Sequence, residues 1–341
     1  MKIKKFKIIL LYLSAILFAQ LSNSYSYGQQ RCSHVFSAFH SGNASSLSPS
    51  VKQIMDHLTG NVKEMYQTSG FKTESEIIDA AKATPGKAGR MYRSAWYLLR
   101  EENVMVGTRL PEKIRMDVVQ KGFLNLHQSK DSQGASGDRN HVEASYSNVS
   151  EIDWKKISDE DKPKYAALYP KPGMTLLAPK TLDAYAGSDV YYYKTDKIRE
   201  RMTLTAGDSL NRFVNYHGYW TSEVHKPDSW DQVFVPWKDR ALFIPVLAEG
   251  LKEGRVGLPE IQGLEYQKPL DYGMQSDVVG SGPMTPFKMK WVPNMDYLEI
   301  QIWGKLTLDD VAVFEFKKDP PTGLFLAELL KRGIEIRDGR E

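Results

Sequence analysis

Cysteine is almost missing from this 341-residue sequence: Cys32 stands alone. One thiol closes no internal disulfide and builds no cysteine-rich metal site, so the fold must rest on its core. Long apolar runs are scarce as well. Ile8–Ala19 (IILLYLSAILFA) reaches twelve residues, where a membrane-spanning helix needs about 20. An excess of one charge is also lacking, since 45 Lys and Arg oppose 42 Asp and Glu. Four of the lysines (Lys2, Lys4, Lys5, Lys7) fall in residues 1–28, which contain no acid; without them 41 basic residues face 42 acidic ones. That balance gives no electrostatic footprint for nucleic acid, and no nucleic-acid partner is expected. With 41% hydrophobic and 26% charged residues, wholesale disorder is excluded. The 25 glycines and 17 prolines are ordinary, which excludes collagen-like and low-complexity classes. There is no Walker loop, no G-x-G-x-x-G, no H-E-x-x-H, no C-x-x-C and no G-x-S-x-G. The histidines at 34, 40, 57, 127, 141, 217 and 225 show no metal-ligand spacing, and no metal is expected.

The N-terminus carries the pattern of a signal peptide over residues 1–28. It has a lysine-rich start, a short apolar run, and small residues Ser24, Ser26 and Gly28 for cleavage. The mature chain is therefore expected to be exported, periplasmic or secreted, with no stable membrane span after cleavage. Residues 29–50 (ending HSGNASSLSPS) read as a linker.

Residues 51–122 read as a helical region. Val51, Ile54, Met55, Leu58, Val62 and Met65 repeat at i, i+3, i+4, with Ser48 and Ser50 as candidate caps. Thr73 and Glu76 form a capping-box pattern before Ile77 and Ile78. Met91, Ala95, Leu98 and Leu99 mark a further helix. Pro111 opens another through Ile114, Val118 and Val119, and Gly122 closes it.

From 123 to 341 the pattern becomes that of an α+β domain. Short β-favouring runs appear at 123–126, 190–193, 202–205, 233–235, 242–246, 297–303 and 311–316. Leu324–Leu330 reads as an amphipathic helix ended by Gly333. The fold class expected overall is a helical segment packed on a mixed, mostly antiparallel sheet. The Gly- and Pro-rich stretch 250–296 reads as a long loop system.

Three segments point to chemistry. In Tyr297–Trp303, strand alternation puts Leu298, Ile300 and Ile302 on one face, and Tyr297, Glu299, Gln301 and Trp303 on the other. A Glu and a Gln two apart between aromatic walls suit a ribose and a flat ring. The same alternation also fits any half-exposed strand with its polar side in water. In 199–209, Arg201, Thr203 and Thr205 share a strand face before a turn holding Asp208 and Ser209. That set reads as an anion or ribose grip, or as a plain surface strand entering a turn. The Gly-rich segment 131–139 ends in Arg139, with Glu143 beyond; its amides suit a phosphate, and it equally fits a flexible loop. The aromatic set Trp220, Trp230, Phe234 and Trp237 reads either as a sugar-stacking platform or as core.

These residues bring a resemblance. K-P-K-Y-A-A-L (162–168), G-S-D-V-Y-Y (187–192), R-M-T-L-T-A-G-D-S (201–209), Y-L-E-I-Q-I-W-G (297–304) and L-T-L-D-D-V (306–311) resemble the bacterial family called domain of unknown function 3626. The segment from Leu110 to Glu143, with G-F-L-N at 122–125, resembles that family's first block. Lys162, Ala166 and Trp303 depart from the family's usual Arg, Gly and His. The late E-x-Q strand also resembles that of ADP-ribosyltransferases, in a register supported by Tyr297, Leu298 and Gly304. That resemblance implies an ADP-ribosyltransferase-like core that uses NAD as substrate and cleaves its nicotinamide–ribose bond. Glu299 would be the catalytic carboxylate, with Gln301 orienting the acceptor or ribose. Arg201, Thr203, Asp208, Ser209, Tyr297 and Arg139 would contact NAD, and the acceptor would be a protein or other macromolecule. Two further expectations stay open: a catalytically inactive exported protein that binds a ligand or partner, and a secreted sugar-binding protein. The E-I-Q-I run also occurs in guanosine pyrophosphate synthetases; the export signal and the lack of a Y-x-S-x-H run argue against that reading.

Overall fold

The computed structural model describes residues 47–129, 136–170, 187–206, 233–245, 247–248 and 298–340. The expected signal peptide (1–28), residues 29–46 of the expected linker (29–50), the stretch 250–296 expected as a loop system, Asp208, Ser209 and Tyr297 lie outside the described residues.

The fold is α+β. Its first helix, α1 (Pro49–Ser69), starts at Ser48, whose hydroxyl accepts from the Val51 amide, and ends at Gly70 in a left-handed conformation. Next, α2 (Glu74–Ala83) is capped by Thr73, whose hydroxyl accepts from the Glu76 amide. Helix α3 (Gly86–Leu99) buries Met91, Ala95, Leu98 and Leu99, the residues its periodicity marks. Then come α4 (Arg115–Lys121), closed by Gly122 at φ 75°, and the single turn α5 (Leu126–Ser129). They are followed by α6 (Ser136–Ser147) and α7 (Glu151–Lys156). A short α8 (Thr195–Ile198) precedes the second half of the sheet, and α9 (Gly323–Lys331) follows most of it.

Eight strands form one sheet among the described residues: β1 (Val104–Leu110), β2 (Lys164–Pro170), β3 (Asp189–Tyr193), β4 (Met202–Ala206), β5 (Val235–Pro236), β6 (Leu298–Ile302), β7 (Val311–Phe316) and β8 (Glu335–Asp338). Their order is β5-β4-β6-β2-β1-β3-β7-β8. Every pairing is antiparallel except β7 with β8. The sheet therefore places β6 between β4 and β2, third of the eight strands.

The alternation along β6 holds. Leu298, Ile300 and Ile302 join the larger core with Met202, Leu204, Val104, Val106, Tyr191 and Phe314. Helices α2, α3, α4 and α9 cover that side with Ile77, Met91, Val118 and Phe325. Each such side chain contributes about 1.5–3 kcal/mol on burial. On the opposite face Trp303 packs in a second core with Val51, Met55 and Leu58 of α1, Val142 of α6, and Trp154 of α7. The N-terminal half of α1 thus serves one core, while Val62 and Met65 of its second half serve the other.

Three sequence expectations are corrected. The region 51–122 is not all-helical, because β1 lies within it and pairs with both β2 and β3. Strands from both sides of residue 122 share the sheet. Residues 123–126 form no strand; Phe123 instead sets its ring edge-on to Tyr191 (5.2 Å) and Tyr193 (5.3 Å). The run at 242–246 is not a strand either: Trp237–Phe243 is a 3-10 segment, and Val246 lies outside the described residues. Short apolar runs carry no period long enough to separate strand from helix. The strand β2 and the helix α6 had no period of their own to announce them.

Candidate functional site

The register of β6 assembles the site. Glu299 lies opposite Ala167 on β2 and Thr205 on β4, and Gln301 opposite Tyr165 and Thr203. Cross-strand partners share a face, so Glu299, Gln301, Tyr165, Ala167, Thr203 and Thr205 line the same side of three adjacent strands. The polar side of β6 is not bathed in water: Glu299 is 3% exposed, and Gln301, Thr203, Thr205 and Trp303 are fully buried. The half-exposed strand expected from alternation alone is corrected on this point. A second core and α6 cover what would otherwise be the wet side.

Buried polar groups must be paired, and these are. The Gln301 amide nitrogen donates to Glu299 Oε1 (3.0 Å) and to Thr205 Oγ1 (2.9 Å). The Thr205 hydroxyl donates to the same Glu299 oxygen at 3.4 Å. Thr203 donates to Gln301 Oε1 (3.0 Å) and accepts from Trp303 Nε1 (3.0 Å).

A second cluster adjoins the first through Tyr165. Its hydroxyl donates to Glu143 Oε1 (2.7 Å), and His127 Nε2 meets Glu143 Oε2 at 2.7 Å. The Arg139 guanidinium carbon lies 4.3 Å from the centre of the Tyr165 ring, a cation–π contact. Arg139 and Glu143, four apart on α6, project onto the same ring. Desolvation and then the Glu143 charge push the Tyr165 phenol well above its ordinary value; Arg139 opposes the rise and Glu299 adds to it. Tyr165 therefore stays a neutral donor at any physiological pH.

One strand further, Arg109 of β1 lies over the Tyr169 ring, 5.8 Å from its centre. Burial raises the Tyr169 phenol and Arg109 counteracts it. Tyr169 stands edge-on to Tyr192 at 5.4 Å. The residues 105, 107 and 109 of β1 follow the register onto the Glu299 face.

Of the residues singled out from sequence, Glu299, Gln301 and Thr203 come together directly, and Arg139 joins them through Tyr165. Arg201 does not. Its guanidinium donates to the carbonyls of Trp303 (2.9 Å) and Lys305 (2.6 Å) and pairs with Asp310 at 3.1 Å. It straps down the turn after β6. Asp208, Ser209 and Tyr297 lie outside the described residues, as do Trp220, Trp230, His217 and His225. Phe234 and Trp237, at 0% and 2% exposed, are core rather than a stacking platform. Sequence reasoning missed Arg109, Tyr165, Tyr169 and His127; a Tyr at 165 inside K-P-K-Y-A-A-L was the one usable hint. Among the described residues, no group of His, Cys, Asp and Glu is placed to hold a metal ion, and no helix is long and apolar enough to cross a membrane.

No protein-family model matches this chain, and no curated protein matches it significantly.

Proposed function

We propose that this chain is an exported ADP-ribosyltransferase-like enzyme that cleaves NAD at the nicotinamide–ribose bond and passes ADP-ribose to a macromolecular acceptor. One observation carries the reading: Glu299 is a buried carboxylate oriented by Gln301 and Thr205, and its face of the sheet also holds Tyr165, Tyr169 and Arg109 on the next two strands. Breaking the glycosidic bond sends the electron pair to nicotinamide and leaves an oxocarbenium-like sugar. A fixed negative charge beside that sugar is worth most in the transition state. Glycosidases set carboxylates against the same kind of cation. Arg109 and Arg139 offer guanidinium groups to a pyrophosphate, and the tyrosine rings offer faces to a flat base.

The test is nicotinamide release by the mature chain, with a cell extract as acceptor. Glu299→Gln keeps the shape and removes the charge. It should lower release by about 100-fold or more, with circular dichroism unchanged. Wild-type protein that releases no nicotinamide defeats the reading. A second reading, a catalytically inactive binding protein, draws support from the depth of Glu299, which is only 3% exposed. Calorimetric binding of NAD without turnover would identify it.

A further inference from the structure

The hydrogen bonds on the Glu299 face run in one direction. An indole N–H is a donor only, whereas a hydroxyl both donates and accepts, and an amide can be turned either way round. Trp303 therefore sets the sense of everything downstream. Its Nε1–H occupies Thr203 Oγ1 as acceptor at 3.0 Å. The Thr203 proton is then directed at Gln301 Oε1, 3.0 Å away. With its oxygen so held, the amide turns its NH2 group to Thr205 (2.9 Å) and Glu299 (3.0 Å). Thr205, accepting from the amide, sends its own proton to Glu299. Both donors arrive at the same carboxylate oxygen.

We propose that Trp303 is a positioning residue whose indole N–H, relayed through Thr203 and Gln301, keeps the donors of Gln301 and Thr205 aimed at Glu299 and so keeps that carboxylate an anion. The reversed amide is the alternative state. It would put Gln301 Oε1 against Glu299, an arrangement that suits only a protonated, hydrogen-donating carboxyl. Without the indole N–H, Thr203 is free to accept from the reversed amide, and that state gains. Every member of the relay is 0–3% exposed, so water does not substitute for a lost link. The importance of the relay to catalysis rests on the transferase reading; its existence does not.

The experiment reads Glu299 directly, without turnover. The full mature chain is labelled with carboxyl-13C glutamate, and the Glu299 signal is assigned by its loss in Glu299→Gln. Wild type, Trp303→Phe, Thr203→Val and Thr203→Ser are then titrated. The other titratable and charged groups on this face, namely Tyr165, Glu143, Arg139 and His127 with Tyr169 and Arg109 on the neighbouring strands, are the same throughout the series. The Glu299 midpoint should rise by about one pH unit in Trp303→Phe and in Thr203→Val, the loss expected when a hydrogen bond to a charged group goes. Thr203→Ser keeps the hydroxyl and should titrate as wild type. A midpoint unmoved in Thr203→Val overturns the relay. So does a rise in Trp303→Phe that Thr203→Val does not reproduce, because packing alone would then explain it. If Trp303→Phe does not fold, the Thr203 pair decides. A chain that titrates as expected yet releases no nicotinamide retains the relay and loses the transferase reading.

Discussion

Arg115 grips Asp189 with two hydrogen bonds, Nε to Oδ2 at 2.7 Å and Nη2 to Oδ1 at 2.9 Å. This two-pronged pair ties α4 to the first residue of β3. The Asp189 side chain is 1% exposed and that of Arg115 10%, so the pair is shielded from water and salt. The same guanidinium donates to the Asp319 carbonyl at 2.7 Å, reaching the loop before α9.

Arg115→Met should therefore lower stability by about 3–5 kcal/mol, because it abandons a carboxylate in the interior. Urea unfolding measures it. Arg115→Lys should recover only part of the loss, since an ammonium cannot repeat the fork. Equal stability of the Met variant and wild type would refute the assignment.

Lys164 gives a pH signature. Its ammonium donates to the carbonyls of Gly304 (2.7 Å), Lys162 (3.3 Å) and Glu160, which pins the start of β2 to the turn after β6. Burial, reinforced by Arg201, pulls its pKa from 10.5 down to about 8, against the pull of Glu160 and Asp161. As pH rises between about 8 and 10.5, the folded chain gives up this proton while the unfolded chain keeps it. The unfolded state then binds more protons, so this residue's contribution to stability rises with pH. Wild type compared with Lys164→Met across pH 7–10.5 cancels the other groups. Wild type should gain on the order of 3 kcal/mol relative to the variant over that window. A flat difference would contradict it.

Gly107 lets two aromatic rings close over β1. A Cβ there would come within 2.9 Å of Tyr192 Cδ1, 3.2 Å of the Tyr191 carbonyl oxygen and 3.3 Å of Tyr169 Cε2. Gly107→Ala should cost about 1–3 kcal/mol through overpacking, read by thermal or urea unfolding. An unchanged midpoint would mean that the Tyr169–Tyr192 pair swings aside freely.

How much of this was readable in one dimension depends on the range of the physics involved. Helix ends are local: Ser48 and Thr73 accept hydrogen bonds three residues on, and Gly122 takes a positive φ where a helix stops. Those were legible as letters. So was the two-residue period that divides Leu298, Ile300 and Ile302 from Glu299 and Gln301. The strand β1 was not, because its seven residues include Gly107 and lack a clean alternation of burial.

The amino-acid order by itself therefore determined the α+β class, the main helix ends, and the side of β6 to which each residue belongs, all of which follow from backbone sterics and short spacings. Only the tertiary structure decided that the polar side of β6 is dry, and that Arg109 and Arg139, rather than Arg201, share the face of Glu299. It also decided that Tyr165 links that face to Glu143 and His127. Alternation assigns a residue to a side. Whether another element covers that side, and which charges the cover brings, depends on contacts between residues far apart along the chain.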